Sequence, residues 1–300
     1  MSTGTNELLQ RAHKNKIPVP GFNIPYLPML EPIVRALRDS DAFGLIMVAR
    51  LEWMKFEAQS LEAVAEEYQR VKDERCTRLH LDHVPVIDED GVPVDYLSIM
   101  RQAIDAGYQS VMIDGSRLPL AGNIATTRQV VALAHAAGVA VEGELGAVLG
   151  HEDGPVPSYE EIFASGKGFT DPAEAQQFVR QTEVDWLSVA VGSIHGSISK
   201  AFKDKKKVEA RLNIPHLQRI SEVVKIPLVL HGGTGIDRRY ISDAVRLGCV
   251  KINIGTALRQ PFEQMRGDSV VKAQQLVYDT AISLLRDELN IIGSARVLKA

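Results

Sequence analysis

The chain has 300 residues, of which 45% are hydrophobic, and a formal net charge of −4 at pH 7. This charge excludes a global attraction to nucleic acid or to an anionic membrane, and the apolar runs are far too short to span a bilayer. The length is sufficient for one α/β barrel or for two smaller domains.

The cysteines and the N-terminal residues indicate the cellular compartment. The two cysteines, Cys76 and Cys249, form no spaced motif, which is typical of a reduced protein. The N-terminal residues are polar and lack the basic segment and apolar run of a secretion signal. We therefore expect a cytoplasmic protein.

In chain order, short apolar runs alternate with longer amphipathic stretches. The apolar runs predict eight β-strands at residues 17–23, 43–49, 78–83, 110–114, 139–145, 186–191, 227–231 and 250–254. The amphipathic stretches predict helices at residues 29–39, 60–75, 96–106, 124–137, 172–182, 215–224, 239–247 and 256–265, and a last helix at residues 268–289.

This alternation predicts an α/β fold. Strands separated by helices form right-handed β-α-β units with a parallel sheet, and eight units favour a closed TIM (β/α)8 barrel, here with an extra C-terminal helix. No segment is rich in Pro, Gly or Ser, so we expect residues 1–300 to form a single domain. The longest irregular segments, 146–170 and 197–213, both follow strands, and we expect them on the face where barrels carry catalytic loops.

Residues that could carry chemistry lie at the carboxyl ends of the predicted strands, which meet at one mouth of a barrel. Three histidines each follow an apolar run: His83, His195 and His231. Three histidines can bind one Zn²⁺ and leave a coordination position open for a substrate. Any one of them alone would be interpreted as a helix cap or a core histidine; together they predict a metal site. The remaining strand ends supply Asn23, Asp82, Asp114, Glu144 and Asn253.

The end of the third strand needs an irregularity. His80 lies two residues before Asp82 and so on the same strand face, where it could orient a metal ligand or simply pack. Strict alternation sends Asp82 and His83 to opposite sides of the sheet. We therefore expect the strand to end or bend between them.

Two glycine-containing segments predict an anion site. The segments 231–235 and 253–256 follow the seventh and eighth strands and precede helices, which is where barrels often bind phosphate. The substrate is therefore predicted to be a phosphorylated small molecule. In the first long loop, Glu152 could be a mobile base, but spacing alone favours an acidic turn. In the second, the basic run of residues 203–207 could be a lid, but spacing alone favours a solvated run of charges.

Six blocks together resemble the class II, metal-dependent ketose-bisphosphate aldolases, and most closely the shorter branch that includes the tagatose-bisphosphate aldolases. They keep the family's order and extend over most of the chain, from Pro20 to about Phe262. The blocks are HLDH (80–83), VMIDGS (111–116), VEGELG (141–146), GSIHG (192–196), HGGTG (231–235) and KINIGT (251–256).

The resemblance implies a set of roles. It implies a catalytic zinc on His83, His195 and His231, with a second or alternative cation, divalent or monovalent, near Asp114 and Glu144. It also implies that the substrate is held by Asn23 and that its phosphate end is held by Gly196, Gly232, Gly233, Thr234, Asn253, Ile254, Gly255 and Thr256.

The resemblance also assigns the proton-transfer groups. Glu152 matches the family's loop glutamate, which exchanges the proton at the nucleophilic carbon, and Asp82 matches the acid that acts on the aldehyde oxygen. Zinc then stabilises an enediolate as a Lewis acid, and no lysine Schiff base is needed. The expected assembly is a homodimer or homotetramer.

This chain departs from the family's usual residues around the aldehyde half. The family commonly has a serine and small or acidic residues where this chain has residues 49–53, and residues 197–202 and Tyr26 also differ. Arg50 and Arg259 are candidates for recognising the acceptor, although Arg50 could instead pair with Glu52.

The leading hypothesis is an aldehyde-lyase that reversibly cleaves a phosphorylated ketose into dihydroxyacetone phosphate and an aldehyde, with fructose or tagatose 1,6-bisphosphate as the default. One alternative keeps the mechanism and changes the acceptor, as in an aldolase of a deoxy-keto-sugar-acid phosphate. The other is a non-catalytic barrel that binds sugar phosphates.

Overall fold

Eight parallel strands close into a barrel with helices around it. The computed structural model describes residues 3–146, 159–193 and 211–299. The strands pair in sequence order and β1 pairs with β8, which confirms the predicted TIM barrel. Their bounds are β1 Val19–Asn23, β2 Gly44–Ala49, β3 Thr77–Pro85, β4 Ser110–Asp114, β5 Ala140–Leu145, β6 Trp186–Val189, β7 Leu228–Leu230 and β8 Cys249–Ile254.

The strands are apolar because both faces of the sheet are covered. Every residue of β2 is buried, as expected where side chains fill the barrel on one face and helices pack on the other. The helices are α1 Thr5–Asn15, α2 Leu30–Asp39, α3 Arg50–Lys55, α4 Leu61–Val71, α5 Tyr96–Asp105, α6 Leu120–Ala136, α7 Tyr159–Ser165, α8 Pro172–Thr182, α9 Ile214–Val223, α10 Arg238–Arg246, α11 Thr256–Met265, α12 Val270–Ser283 and α13 Ser294–Lys299.

The C-terminal region is longer and more divided than the prediction. The last predicted helix is α12, which packs on α11 and α2. It continues as a π-helical turn at Leu284–Glu288 and is followed by the separate α13. The helix predicted at residues 60–75 ends at Val71, because Asp73 then accepts from Arg75 N and the chain turns into β3.

Four of the described helices were not predicted, namely α1, α3, α7 and α13. The N-terminal α1 packs Leu8, Leu9 and Ala12 into the core although its composition is mostly polar. The six-residue α3 directly follows β2, and the seven-residue α7 lies in a segment that was expected to be irregular. No helix in the described parts of the chain combines the length and the apolar character needed to cross a bilayer.

The third strand contains the irregularity that the sequence requires. The register of β3 against β4 shifts between Leu81 and Val84, and His83 adopts a left-handed φ of 33°. A bulge of this kind redirects one side chain relative to its neighbours. It lets Asp82 and His83 both contribute to the barrel mouth, and the strained φ is the cost of that placement.

Candidate active site

The strand ends bring the predicted polar residues to one place. Asp82 is the centre of the group: Asn23 Nδ2 donates to its Oδ2 at 3.0 Å, and Asn253 Nδ2 donates to its Oδ1 at 3.0 Å. These three residues lie in the carboxyl-terminal parts of β1, β3 and β8 and are far apart in sequence. The Asp82 carboxylate is therefore held in one orientation from two sides.

Two groups of possible metal ligands share His83. The donor atoms of Asp82, His83 and His231 lie within 4.8 Å of one another, and so do those of His83, Asp114 and Glu144. The rings of His83 and His231 are 4.4 Å apart between centroids. Imidazole nitrogens and carboxylate oxygens that converge in this way suit Zn²⁺ or a similar divalent cation.

His231 is oriented by a buried carboxylate. Its Nε2–H donates to Glu142 Oε1 at 3.0 Å, while its Nδ1 lies 3.3 Å from Glu144 Oε2. A carboxylate that accepts from one ring nitrogen determines the tautomer and directs the other nitrogen toward a metal. His231 and Glu142 are both fully buried, so this orientation is rigid.

Beneath these ligands lies a buried charge cluster, which we define as His80, Asp82, Glu142 and Lys251. Lys251 Nζ lies 2.8 Å from Glu142 Oε2 and 3.6 Å from Asp82 Oδ1. His80 lies 3.6 Å from Glu142 and 3.8 Å from Asp82, and it shares a 2.9 Å hydrogen bond with Ser110. His80 thus belongs to the polar network, which answers the question of whether it only packs.

Sequence reasoning missed Glu142 and Lys251. Each lies two residues before a strand-end residue that was identified, Glu144 and Asn253, and so points to the same barrel face. A charged residue inside an otherwise apolar strand was the available signal, because buried charges require partners.

The cluster controls the charge on Asp82. Burial opposes ionisation of Asp82, but Lys251 and then His83 outweigh it and hold the pKa of this carboxyl well below its usual range. In the metal-free site, burial lowers the pKa of His83, whereas Asp82 and Asp114 raise it to a net value of about 10. The site therefore concentrates negative charge where a cation would bind.

A second carboxyl lies beside Asp82. Glu52 Oε2 accepts from Ala49 N at 2.8 Å and from Asn23 Nδ2 at 3.4 Å. Burial and the neighbouring Asp82 raise the pKa of Glu52 to about 8. The alternative in which Arg50 pairs with Glu52 is wrong, because Arg50 Nη1 instead lies 3.6 Å from Asp88 Oδ2 while Glu52 caps α3.

A backbone hydrogen bond connects the two glycine loops, residues 231–235 and 253–256. Gly233 N donates to Asn253 O at 3.0 Å, and a Cβ on Gly233 would lie 2.5 Å from Ile252 Cγ2 and 2.9 Å from Asn253 O. Gly232 adopts a left-handed φ of 68°. Only glycine permits this close approach of the loops, which places Thr234 against the first turn of α11, with Ala257 N 3.4 Å from Thr234 Oγ1.

Arg259, the other acceptor candidate, has a carboxylate partner. Its Nη1 donates to both carboxylate oxygens of Glu263 at 2.8 Å. Tyr26 O–H also donates to Glu263, at 2.7 Å. Arg259 therefore lies in a local network on the side of the mouth formed by β1 and α11.

Several predicted residues lie outside the described part of the chain. They are Glu152, His195, Gly196 and the basic run of residues 203–207. The third histidine ligand and the loop base accordingly stay predictions.

The chain matches a known family and known folds over nearly its whole length. Residues 3–290 match the family model "Fructose-bisphosphate aldolase class-II". The fold is similar to the crystal structure of the YdjI aldolase from Escherichia coli K12, with 24% identity, a TM-score of 0.76, and 98% of this chain and 100% of that chain covered.

Two further solved structures are similar. A putative fructose-1,6-bisphosphate aldolase from Coccidioides immitis has 25% identity, a TM-score of 0.76, and 98% and 99% of the two chains covered. The fructose-bisphosphate aldolase from Campylobacter jejuni has 17% identity, a TM-score of 0.69, and coverage of 96% and 94%.

Proposed function

Since the chain belongs to the class II fructose-bisphosphate aldolase family, and is therefore a lyase of the aldolase type, we propose a specific reaction for it. The protein cleaves a phosphorylated ketose into dihydroxyacetone phosphate and an aldehyde. The observation that carries this proposal is the convergence of Asp82, His83 and His231 at the barrel mouth. Membership of an enzyme family also sets aside the hypothesis of a non-catalytic sugar-phosphate-binding barrel.

The residues present fit a divalent cation, for which we propose Zn²⁺. His83 and His231 would hold it, with His195 as the third ligand, and Asp114 and Glu144 offer an adjacent cation position. A cation held there supplies a Lewis acid that stabilises the negative charge developing beside the breaking carbon–carbon bond. Glu142 supports this role by orienting His231.

Asp82 is proposed as the proton-transfer group at the aldehyde oxygen. In the cleavage direction, the ionised carboxylate accepts the proton of the C4 hydroxyl, the C3–C4 bond breaks, and its electron pair stays on the dihydroxyacetone phosphate fragment. Lys251 supports the role of proton acceptor because it keeps Asp82 ionised in the free enzyme. Glu152 is proposed to return a proton to C3.

The phosphate end is proposed to bind at the two glycine loops. Gly232, Thr234 and the first turn of α11, which begins at Thr256, surround the end of β8. Unpaired N–H groups at a helix start favour an anion. Asn253, Ile254, Gly255 and, from outside the described residues, Gly196 complete the proposed phosphate site, while Asn23 is proposed to contact the sugar.

We expect a cytoplasmic homodimer or homotetramer that acts on small sugar phosphates. Fructose and tagatose 1,6-bisphosphate are the default substrates. A different acceptor is the second candidate, because Arg50 and Arg259 both have carboxylate partners that a phosphate would have to displace.

The test is cleavage of a panel of phosphorylated ketoses by the metal-loaded protein, before and after chelation. We expect activity on at least one ketose 1-phosphate or bisphosphate, its loss by more than about a hundredfold after chelation, and recovery with a divalent cation. Full activity after verified metal removal would refute the proposal.

A further inference from the structure

The acceptor side of the mouth contains a carboxyl to which the proposed reaction assigns no role. Glu52 belongs to the segment 49–53, where this chain departs from the usual residues. It lies on α3, directly after β2, and is half-buried. It lies next to Asp82, the proposed proton-transfer group.

Glu52 is held by two hydrogen bonds that both use one of its oxygens. Ala49 N and Asn23 Nδ2 donate to Oε2, which fixes the carboxyl against the end of β2. Among the described residues, Oε1 has no hydrogen-bond partner. One oxygen thus secures the side chain, and the other remains able to bind a ligand.

Asn23 connects Glu52 to Asp82. The same Nδ2 atom donates to Asp82 Oδ2 at 3.0 Å and to Glu52 Oε2 at 3.4 Å, so one amide group separates the two carboxyls. If Asp82 contacts the oxygen of the reacting aldehyde carbon, Glu52 lies close to the substituent on the next carbon. An oxygen in that place forms a hydrogen bond with a hydroxyl group whether Glu52 is ionised or protonated.

The surrounding charges disfavour an anion at this position. Of the two neighbouring carboxyls, Asp82 is held ionised, and its charge repels a phosphate or carboxylate placed next to it. The described guanidinium groups on this side of the mouth already have carboxylate partners. These pairs are Arg50 with Asp88 at 3.6 Å, Arg259 with Glu263 at 2.8 Å and Arg266 with Glu57 at 2.5 Å.

We propose that Glu52 contacts the aldehyde half of the substrate and selects neutral acceptors with a hydroxyl group beside the reacting carbon. This inference rests on the proposed aldolase reaction. It replaces the default bisphosphate substrates with ketose 1-phosphates whose acceptor end has no phosphate next to that hydroxyl. It favours a polyhydroxy aldehyde over a sugar-acid aldehyde.

The experiment measures the addition of dihydroxyacetone phosphate to three aldehydes: D-glyceraldehyde, 3-hydroxypropanal and D-glyceraldehyde 3-phosphate. The first two differ only in the hydroxyl group beside the carbonyl, and the third adds a phosphate. For the wild type we expect kcat/KM with D-glyceraldehyde to exceed both other values by at least about tenfold.

Two substitutions separate recognition from helix capping. Glu52→Gln keeps an oxygen that can accept from Ala49 N. We expect it to relax the discrimination against the phosphorylated aldehyde at least about tenfold, because the amide NH2 that replaces the second oxygen can donate to a phosphate. Glu52→Ala should reduce the preference for D-glyceraldehyde over 3-hydroxypropanal by a similar factor. Glu67→Gln, the same change on the surface of α4, is the matched control and should alter neither ratio.

The outcomes are distinguishable. Unchanged ratios in both Glu52 variants, or a wild type that prefers D-glyceraldehyde 3-phosphate, would overturn the role of Glu52 while leaving the aldolase proposal intact. Failure of the wild type to exchange a carbon-bound proton of dihydroxyacetone phosphate would instead overturn the proposed function.

Discussion

The two halves of the barrel mouth are built in different ways. The metal half consists of strand-end residues on β3, β4, β5 and β7, held by fully buried partners such as Glu142 and Lys251. The acceptor half consists of α3, α11 and partly exposed ion pairs such as that of Arg50 with Asp88. The family's motifs on β3, β4, β5 and after β7 fall in the first half, and the departures at residues 49–53 and Tyr26 fall in the second. We infer from this difference that the reaction and its substrate range depend on separate structural elements.

The largest effect is expected when the metal half loses a ligand. His83→Ala removes the imidazole shared by both groups of possible ligands, so we expect loss of bound cation and a fall in kcat of more than about a thousandfold. Metal analysis of the purified variant and an aldol-cleavage assay measure both. His135→Ala, at an exposed histidine bound to Asp185, is the control; a metal-replete, active His83→Ala protein would show that the ligand assignment is wrong.

A smaller effect is expected from the buried charge cluster. Lys251→Met leaves Glu142 buried without its closest cation, which should lower the free energy of unfolding by about 3–5 kcal/mol. Urea denaturation of the metal-free protein measures it.

The controls for Lys251 test whether charge is the cause. Lys225→Met, on the exposed surface of the barrel, should change stability by less than about 0.5 kcal/mol. Adding Glu142→Gln to Lys251→Met should recover part of the loss, since neither charge then remains buried alone. A Lys251→Met protein as stable as the wild type would contradict the account of the metal half.

The smallest effect is expected in the acceptor half and depends on pH. In the metal-free protein, burial raises the pKa of Glu52 to about 8, above the ordinary value of about 4.3 for glutamate. A raised pKa means that the folded state binds the proton more tightly, so this stabilisation is complete below the ordinary pKa and disappears as pH rises through 8.

Glu52→Gln removes this titration. Its Tm relative to the wild type should therefore rise by a few degrees between pH 5 and pH 8.5, as followed by thermal unfolding. Glu67→Gln should show no such trend. A constant difference between Glu52→Gln and the wild type across this range would mean that Glu52 is ionised throughout and lies in a more solvated environment.

The halves also differ in how far sequence predicts them. The barrel, the positions of Asp114 and Glu144, and the bend before His83 follow from local patterns, because apolar runs mark strands and alternation determines faces. The pairing of Glu142 with Lys251 does not, since it joins β5 and β8 across the barrel interior. Nor does α3, whose six residues are too few to show a helical period and which depends on the cap that Glu52 provides.

The central claim is that the metal half, together with Glu152 and the phosphate loops, performs the dihydroxyacetone phosphate half-reaction without an acceptor aldehyde. The most direct test is to incubate the metal-loaded protein with dihydroxyacetone phosphate in deuterated water, without an aldehyde, and to follow the exchangeable carbon-bound proton by NMR. We predict loss of that signal, which stops on chelation and resumes with a divalent cation. No exchange above that of a Glu152→Ala variant would contradict the account.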